Sequence, residues 1–147
     1  MNTDHITALV AYFENLTPAA VDDMGAYYDI AAYFRDPFNE VHSLSAIQAI
    51  FRKMYQQLDA PRFTVLNRYV ADNGVTLTWD FSFQLRLPGK PQRTVHGLTL
   101  LHFSDAGKVI YHRDYWDAAQ ELYEQLPVIG GVFGWLRRRL GHAQVNA

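Results

Sequence analysis

The spacing of hydrophobic positions along the chain is helical over the first third and becomes period two after Pro61. Ile6, Leu9, Val10 and Phe13 recur at i, i+3, i+4 and i+7, which predicts a helix ending near Leu16-Thr17-Pro18. Thr17 suits an N-cap and Pro18 the first helical position, and Asp22 and Asp23 follow early. These signals predict a second helix that buries Val21, Met24, Tyr28 and one of Ala31 or Ala32. Pro37 biases Asp36 away from helix, so the chain is expected to be extended from Phe34 to Phe38. Ser43 and Ser45 are cap candidates for a third helix through Ile47, Ile50, Phe51, Met54 and Leu58.

Beyond Pro61, Phe63, Val65, Leu66 and Val70 predict a strand, and Asp72-Asn73-Gly74 is a hairpin signal. Val75, Leu77, Trp79, Phe81, Phe83, Leu85 and Leu87 then alternate with polar residues, which predicts a long strand with one apolar face. Pro88-Gly89-Lys90-Pro91 turns it, Val95 to Phe103 form the next strand, Asp105-Ala106-Gly107 turns again, and Val109 to Trp116 form the last. Helices followed by an antiparallel meander predict an α+β domain, with N-terminal helices packed on one face of a curved antiparallel sheet. Bent strands and covering helices make a cone, whose concave interior suits a small apolar molecule.

Composition narrows the reading. The 147 residues fit one domain, residues 1–147, with a C-terminal helical tail from about 118. A 49% hydrophobic content is enough for a sizeable core. The formal charge of −2 lacks the basic excess that a phosphate backbone attracts, so no nucleic-acid partner is expected. With no cysteine there is neither a disulfide nor a thiolate metal site. Met1 to Phe13 has no basic start, and no apolar run approaches the roughly 20 residues of a membrane span, so a cytoplasmic location is expected. His96, His102 and His112 lack compact metal-ligand spacing, and no metal is expected.

The segment from Ala11-Tyr12-Phe13-Glu14 through Phe34-Arg35-Asp36-Pro37-Phe38-Asn39 resembles the bacterial ketosteroid isomerases, in which a helix tyrosine precedes an Asp-Pro-Phe-Gly-like motif by the same interval. Phe103-Ser104-Asp105-Ala106-Gly107-Lys108-Val109, leading to Tyr115-Trp116, resembles that family's last two strands. His112-Arg113-Asp114-Tyr115-Trp116-Asp117 is similar to the Trp-Arg-Asp-Tyr-Phe-Asp segment of limonene epoxide hydrolases. The resemblance covers roughly residues 5 to 126 and implies the cone-shaped fold of nuclear transport factor 2, shared with the SnoaL-like polyketide cyclases. That fold hosts isomerases, cyclases, hydrolases and non-catalytic binders.

The isomerase resemblance implies Asp36 as the proton-shuttling base and Tyr12 as an oxyanion donor. The family's second donor, a protonated aspartate, falls on Thr99 here, whose hydroxyl also donates a hydrogen bond but is not an acid. The hydrolase resemblance implies Asp114 as one of that family's carboxylates, although Asp80 and Ser82 stand where its arginine and aspartate would be. Read for chemistry, Asp36 sits beside a proline that fixes the backbone, and a carboxylate beside apolar walls suits proton abstraction next to a carbonyl. The alternative reading is a turn or helix cap. His112, Asp114 and Trp116 alternate and share one strand face, so Asp114 can pair with His112 or form an ion pair with Arg35 or Arg113. Phe38 and Trp116 are candidate pocket walls. Tyr12 has the alternative of a plain core tyrosine. The alternation of Trp79, Phe81 and Phe83 places Asp80 on the outer face.

Three functions fit. The first is cofactor-free proton transfer (isomerisation, cyclisation or dehydration) on a small apolar carbonyl compound. The second is a non-catalytic ligand-binding or dimerisation module, and the third is epoxide-hydrolase-like water activation through Asp114. A homodimer is expected through Tyr69 and Val95 on the outer face. The segment Val128 to Leu140 is apolar, then basic. It is expected to cover the open end of the cone or a partner subunit, in preference to touching anionic lipid.

Overall fold

The computed structural model describes residues 3–121 and 129–141. Helix α1 (Thr3–Glu14) buries Ile6, Leu9, Val10, Tyr12 and Phe13, the face its spacing selects. The Thr17 hydroxyl accepts from the Ala20 N–H at 3.1 Å, as a cap should, but the segment it starts is a 3-10 helix, Ala19–Ala26. It stops there because Tyr28 to Arg35 form strand β1 (Tyr28–Arg35). The expected second helix is thus cut short. Tyr28 and Ala32 are buried as expected, but from a strand.

A turn at Asp36 leads to the short β2 (Glu40–Val41). Helix α2 (Leu44–Gln57) follows, its cap supplied by Ser43, which accepts from the Ala46 N–H at 3.2 Å. Strands β3 (Leu58–Ala71), β4 (Gly74–Leu85), β5 (Gln92–Phe103) and β6 (Val109–Tyr115) form the expected meander. Leu58 to Ala60, expected at or after a helix end, already belong to β3. A register shift between Asp59 and Arg62, with Ala60 at φ +48°, marks the bulge where the chain leaves α2.

The sheet order is β2-β1-β6-β5-β4-β3. Every neighbouring pair is antiparallel except β1 and β6, which run parallel. The chain leaves β1, crosses the concave face as α2, enters at the far edge as β3, and meanders back until β6 meets β1. The helices cover the inner face of this open, curved sheet.

The inner face carries two buried apolar clusters. One joins α1, the 3-10 segment and α2 to Tyr28, Phe34, Val75, Leu101 and Val109. The other gathers Trp79, Phe83 and Val95, with Phe81, Leu85 and Trp116 partly buried against them. Val95 is therefore 3% exposed and faces inward, not outward as a dimer contact, whereas Tyr69 stays exposed. Its odd-numbered place on β5, shared with Gly97 and Thr99, fixes that side. Asp80 lies outward, hydrogen-bonded to the exposed His96, and His102 meets the Asn73 carbonyl.

After β6 come α3 (Ala118–Glu121) and α4 (Ile129–Leu140). The expected end of the first tail helix, Leu122 to Pro127, lies outside the described residues. Val132, Trp135 and Leu140 on α4 are exposed. Among the described residues, none of α4 lines the interior cavity. No helix among the described residues is long and apolar enough to cross a membrane.

Candidate functional site

A cavity of about 470 Å³ opens between the C-terminal half of α2, the inner face of β4 and β5, and the turn after β1. Its walls are mostly aromatic and aliphatic, among them Phe51, Phe63, Phe81 and Phe83. Its polar lining groups are few: Asp36 and Asn39 in the turn, Lys53 and Gln57 on α2, and Asp114 on β6. A volume of this size and an apolar wall with sparse polar groups are the usual features of a small-molecule site. A second, smaller void of about 30 Å³ lies deeper and is bordered by Asp114, His112 and Thr99 as well as by apolar side chains.

Asp114 is the point where the polar chemistry converges. His112 Nε2 lies 2.8 Å from Asp114 Oδ1, and the Thr99 hydroxyl donates to the same oxygen. Behind His112, its Nδ1 lies 2.6 Å from the Tyr28 hydroxyl. Behind Thr99, the Trp79 indole N–H donates to the threonine oxygen at 2.8 Å. Tyr28 is 1% exposed and His112 3% exposed, whereas the Asp114 side chain retains 18% exposure toward the concave spaces it borders.

Donor chemistry fixes the direction of each bond. A carboxylate at Asp114 can only accept, so His112 Nε2 donates to it, and the imidazole tautomer with its proton there presents a bare Nδ1 to the Tyr28 hydroxyl. Burial, reinforced by the Asp114 charge, raises the Tyr28 pKa well above its ordinary value, so the phenol keeps its proton and donates it to that nitrogen. A carboxylate at Asp114 satisfies both donors on Oδ1, and Oδ2 takes part in neither bond.

The structure places the expected site residues unequally. Asp36, Phe38, Asp114 and Trp116 all border the main cavity, and the Phe38 and Trp116 rings meet edge to face at 5.5 Å. Thr99 and His112 stand directly behind Asp114. Asp36 Oδ1 accepts from the backbone N–H groups of Phe38 at 2.8 Å and Asn39 at 2.7 Å, and the Asn39 amide reaches both carboxylate oxygens at 3.1 Å. Its carboxylate is thus engaged in holding the turn. Tyr12 is not brought to the cavity. Its hydroxyl donates to the Ala20 carbonyl at 2.8 Å, its ring stacks on Tyr27 at 4.4 Å, and burial, with Asp23 nearby, raises its pKa. Asp114 pairs with His112 in preference to the arginines beside it. Among the described residues no cluster of His, Asp and Glu could hold a metal ion.

Two further contributors, Tyr28 and Trp79, are not among the residues the sequence singles out for the site: the first falls in the expected second helix and the second in the apolar stripe of β4. For Tyr28 no local signal was available, because Ile30, at the same parity as Tyr28 and Ala32, is exposed and breaks the alternation. For Trp79, the indole N–H itself was the signal, since a buried tryptophan ordinarily finds an acceptor.

Solved structures share this architecture. A hypothetical protein with a ketosteroid isomerase-like fold from Catenulispora acidiphila, in complex with trimethylamine, aligns with a TM-score of 0.68 at 17% identity, covering 83% of this chain and 92% of that one. A candidate SnoaL-like polyketide cyclase from Jannaschia sp. aligns with a TM-score of 0.70 at 16% identity, covering 80% and 88%. A candidate hydroxylase from Streptomyces galilaeus aligns with a TM-score of 0.66 at 16% identity, covering 88% and 95%. At these identities the likeness establishes the fold alone. No functionally curated protein sequence matches the chain. The SnoaL-like domain family matches residues 9–112, most of the length, and the chain belongs to that family.

Proposed function

We propose that this protein is a cofactor-free acid–base catalyst acting on a small, largely apolar carbonyl compound, with Asp114 as the proton-transferring group. The observation that carries the reading is a partly exposed Asp114 paired with a buried His112 at the inner side of a mostly apolar cavity of about 470 Å³. Apolar walls exclude water from the reacting carbon, and a carboxylate held by two donors on one oxygen offers the other to a C–H beside a carbonyl. Removing that proton gives an enolate. The proton now on Asp114 is returned to a different carbon of the enolate in isomerisation, is given to the alkoxide formed when the enolate attacks a second carbonyl in cyclisation, or leaves with a β-hydroxyl as water in dehydration. His112, oriented by Tyr28, holds Asp114 in place. Lys53 and Gln57 border the same cavity and carry donors suited to the carbonyl end of a substrate.

A homodimer and a cytoplasmic setting belong to the same reading. The exposed Tyr69 and Tyr115 on the outer sheet face support the dimer. Sedimentation showing only a 16.9 kDa species at high concentration would remove it.

The chemistry is tested without knowing the natural substrate. An enolisable apolar ketone such as β-tetralone is incubated with the protein in D2O, and loss of its α-proton signals is followed by NMR. The wild type is expected to accelerate exchange. Asp114→Asn keeps an acceptor for Thr99 and His112 and is expected to lose about a hundredfold or more of the acceleration. A folded Asp114→Asn protein that exchanges as fast as the wild type would refute the assignment, and Asp36→Asn then tests the other carboxylate. Saturable binding of the ketone with no exchange in any variant would mark the pocket as a binding module.

A further inference from the structure

Resting on that reading of Asp114, we infer that Gly97 is a positioning residue for it, acting through the Trp79 indole and the Thr99 hydroxyl. Gly97 stands opposite Trp79 in the ladder between β4 and β5 and shares the inner face with Thr99. The indole lies so close over it that a Cβ built at position 97 would sit 2.5 Å from Trp79 Cη2 and 2.7 Å from Cζ2. Carbon atoms in ordinary contact are about 3.5–4.0 Å apart. Any side chain at 97 therefore moves the ring, which borders both the main cavity and the deeper void.

The ring's placement matters because of what its N–H does. An indole N–H can only donate, so Thr99 must accept from it, and the single threonine proton is left for Asp114. With His112 donating to the same Oδ1, the relay selects Oδ2 as the oxygen that meets a substrate. Glycine at 97 is what lets the tryptophan lie flat against the sheet, reach Thr99 and leave the cavity open. A displaced ring has two effects: Thr99 loses its donor, and the cavity narrows.

These effects are separable. The Trp79 indole resonance in a 1H–15N spectrum, assigned with Trp116→Phe and Trp135→Phe, reports the relay without any substrate. It is expected to move in Gly97→Ala and Thr99→Val and to hold its place in Thr99→Ser. In ketone exchange, Thr99→Val is expected to lose about tenfold or more in kcat with KM changed less than about threefold, because a hydrogen bond to a charged group is lost. Thr99→Ser should restore the rate to within about threefold. Gly97→Ala should lower kcat and also raise KM. An unmoved indole resonance in Gly97→Ala, or a folded Thr99→Val protein with wild-type kcat, overturns the inference. Should Gly97→Ala fail to fold, it is combined with Trp79→Phe, whose smaller ring lacks the crowded atoms and is expected to restore folding; failure of that pair to fold overturns the role of Gly97. Indole shifts as expected in a protein that exchanges no ketone would leave the positioning role standing and remove the base assignment instead.

Discussion

Replacing Tyr28 with phenylalanine removes one oxygen from the least accessible part of the site. The ring keeps its packing against Phe13 and His112, and the void left by a hydroxyl is smaller than a methyl group. The cost falls on His112 Nδ1, which loses its donor while 3% exposed. The imidazole cannot escape by changing state. Moving its proton to Nδ1 turns a bare Nε2 toward the Asp114 carboxylate, and protonating both nitrogens aims an N–H at a phenyl ring. An unsatisfied buried polar group costs about 1–3 kcal/mol. For a domain of this size that corresponds to a Tm lowered by about 3–12 °C. Urea unfolding followed by tryptophan fluorescence measures the free energy, and long-range 1H–15N spectra of His112 report the tautomer. A wild-type protein with the proton on Nδ1, or a Tyr28→Phe variant within about 0.3 kcal/mol of the wild type, would refute the reasoning on donor direction.

Other perturbations address the fold around the site. Leu101→Ala empties a fully buried position next to His112 and is expected to cost about 2–5 kcal/mol in denaturant unfolding. Ser43→Ala removes the cap of α2 and should cost about 1 kcal/mol, restored by Asp at the same position. The hydrogen bond to Asp80, with its charge, raises the His96 pKa above the ordinary value. Any stability this pair adds is complete below the unfolded-state histidine pKa and is lost as pH rises through the folded one. NMR titration should show the His96 pKa falling back in Asp80→Asn, and an unchanged midpoint would contradict the pairing.

Legibility in the sequence followed the regularity of each element. The alternation in β4 and the turn residues Asp72-Asn73-Gly74 gave the meander, and helical spacing gave α1. β1 was hidden because its register shifts between Tyr28 and Tyr33, so the period of two is broken where it would have been read. Adjacent alanines at 31 and 32 then favoured a helix. The shared face of His112, Asp114 and Trp116 was visible from period two alone. Tyr28 meeting His112 across 84 positions was not, because it depends on β1 pairing parallel with β6, and nothing local encodes that. The turn at Asp36 is the converse case. Its motif is conspicuous in the sequence, but the hydrogen bonds its carboxylate accepts from its own loop are visible only in the structure.

The ladder registers explain why the site can be probed by substitution without unmaking the sheet. Read across the inner face, Val75, Leu101 and His112 form one rung, and Leu77, Thr99 and Asp114 the next. Trp79 with Gly97, then Phe81 with Val95, follow toward the cavity mouth. Rungs on one face are about 7 Å apart, so the polar groups occupy two successive rungs between apolar ones. Sliding β5 by one residue would turn Val95 and Leu101 to solvent and bring His96 and His102 inside. The apolar residues therefore hold the register, and the polar ones only use it. Asn at 114 or Val at 99 leaves every register-setting side chain in place, so a loss of proton exchange in those variants reports on chemistry and not on a slipped strand.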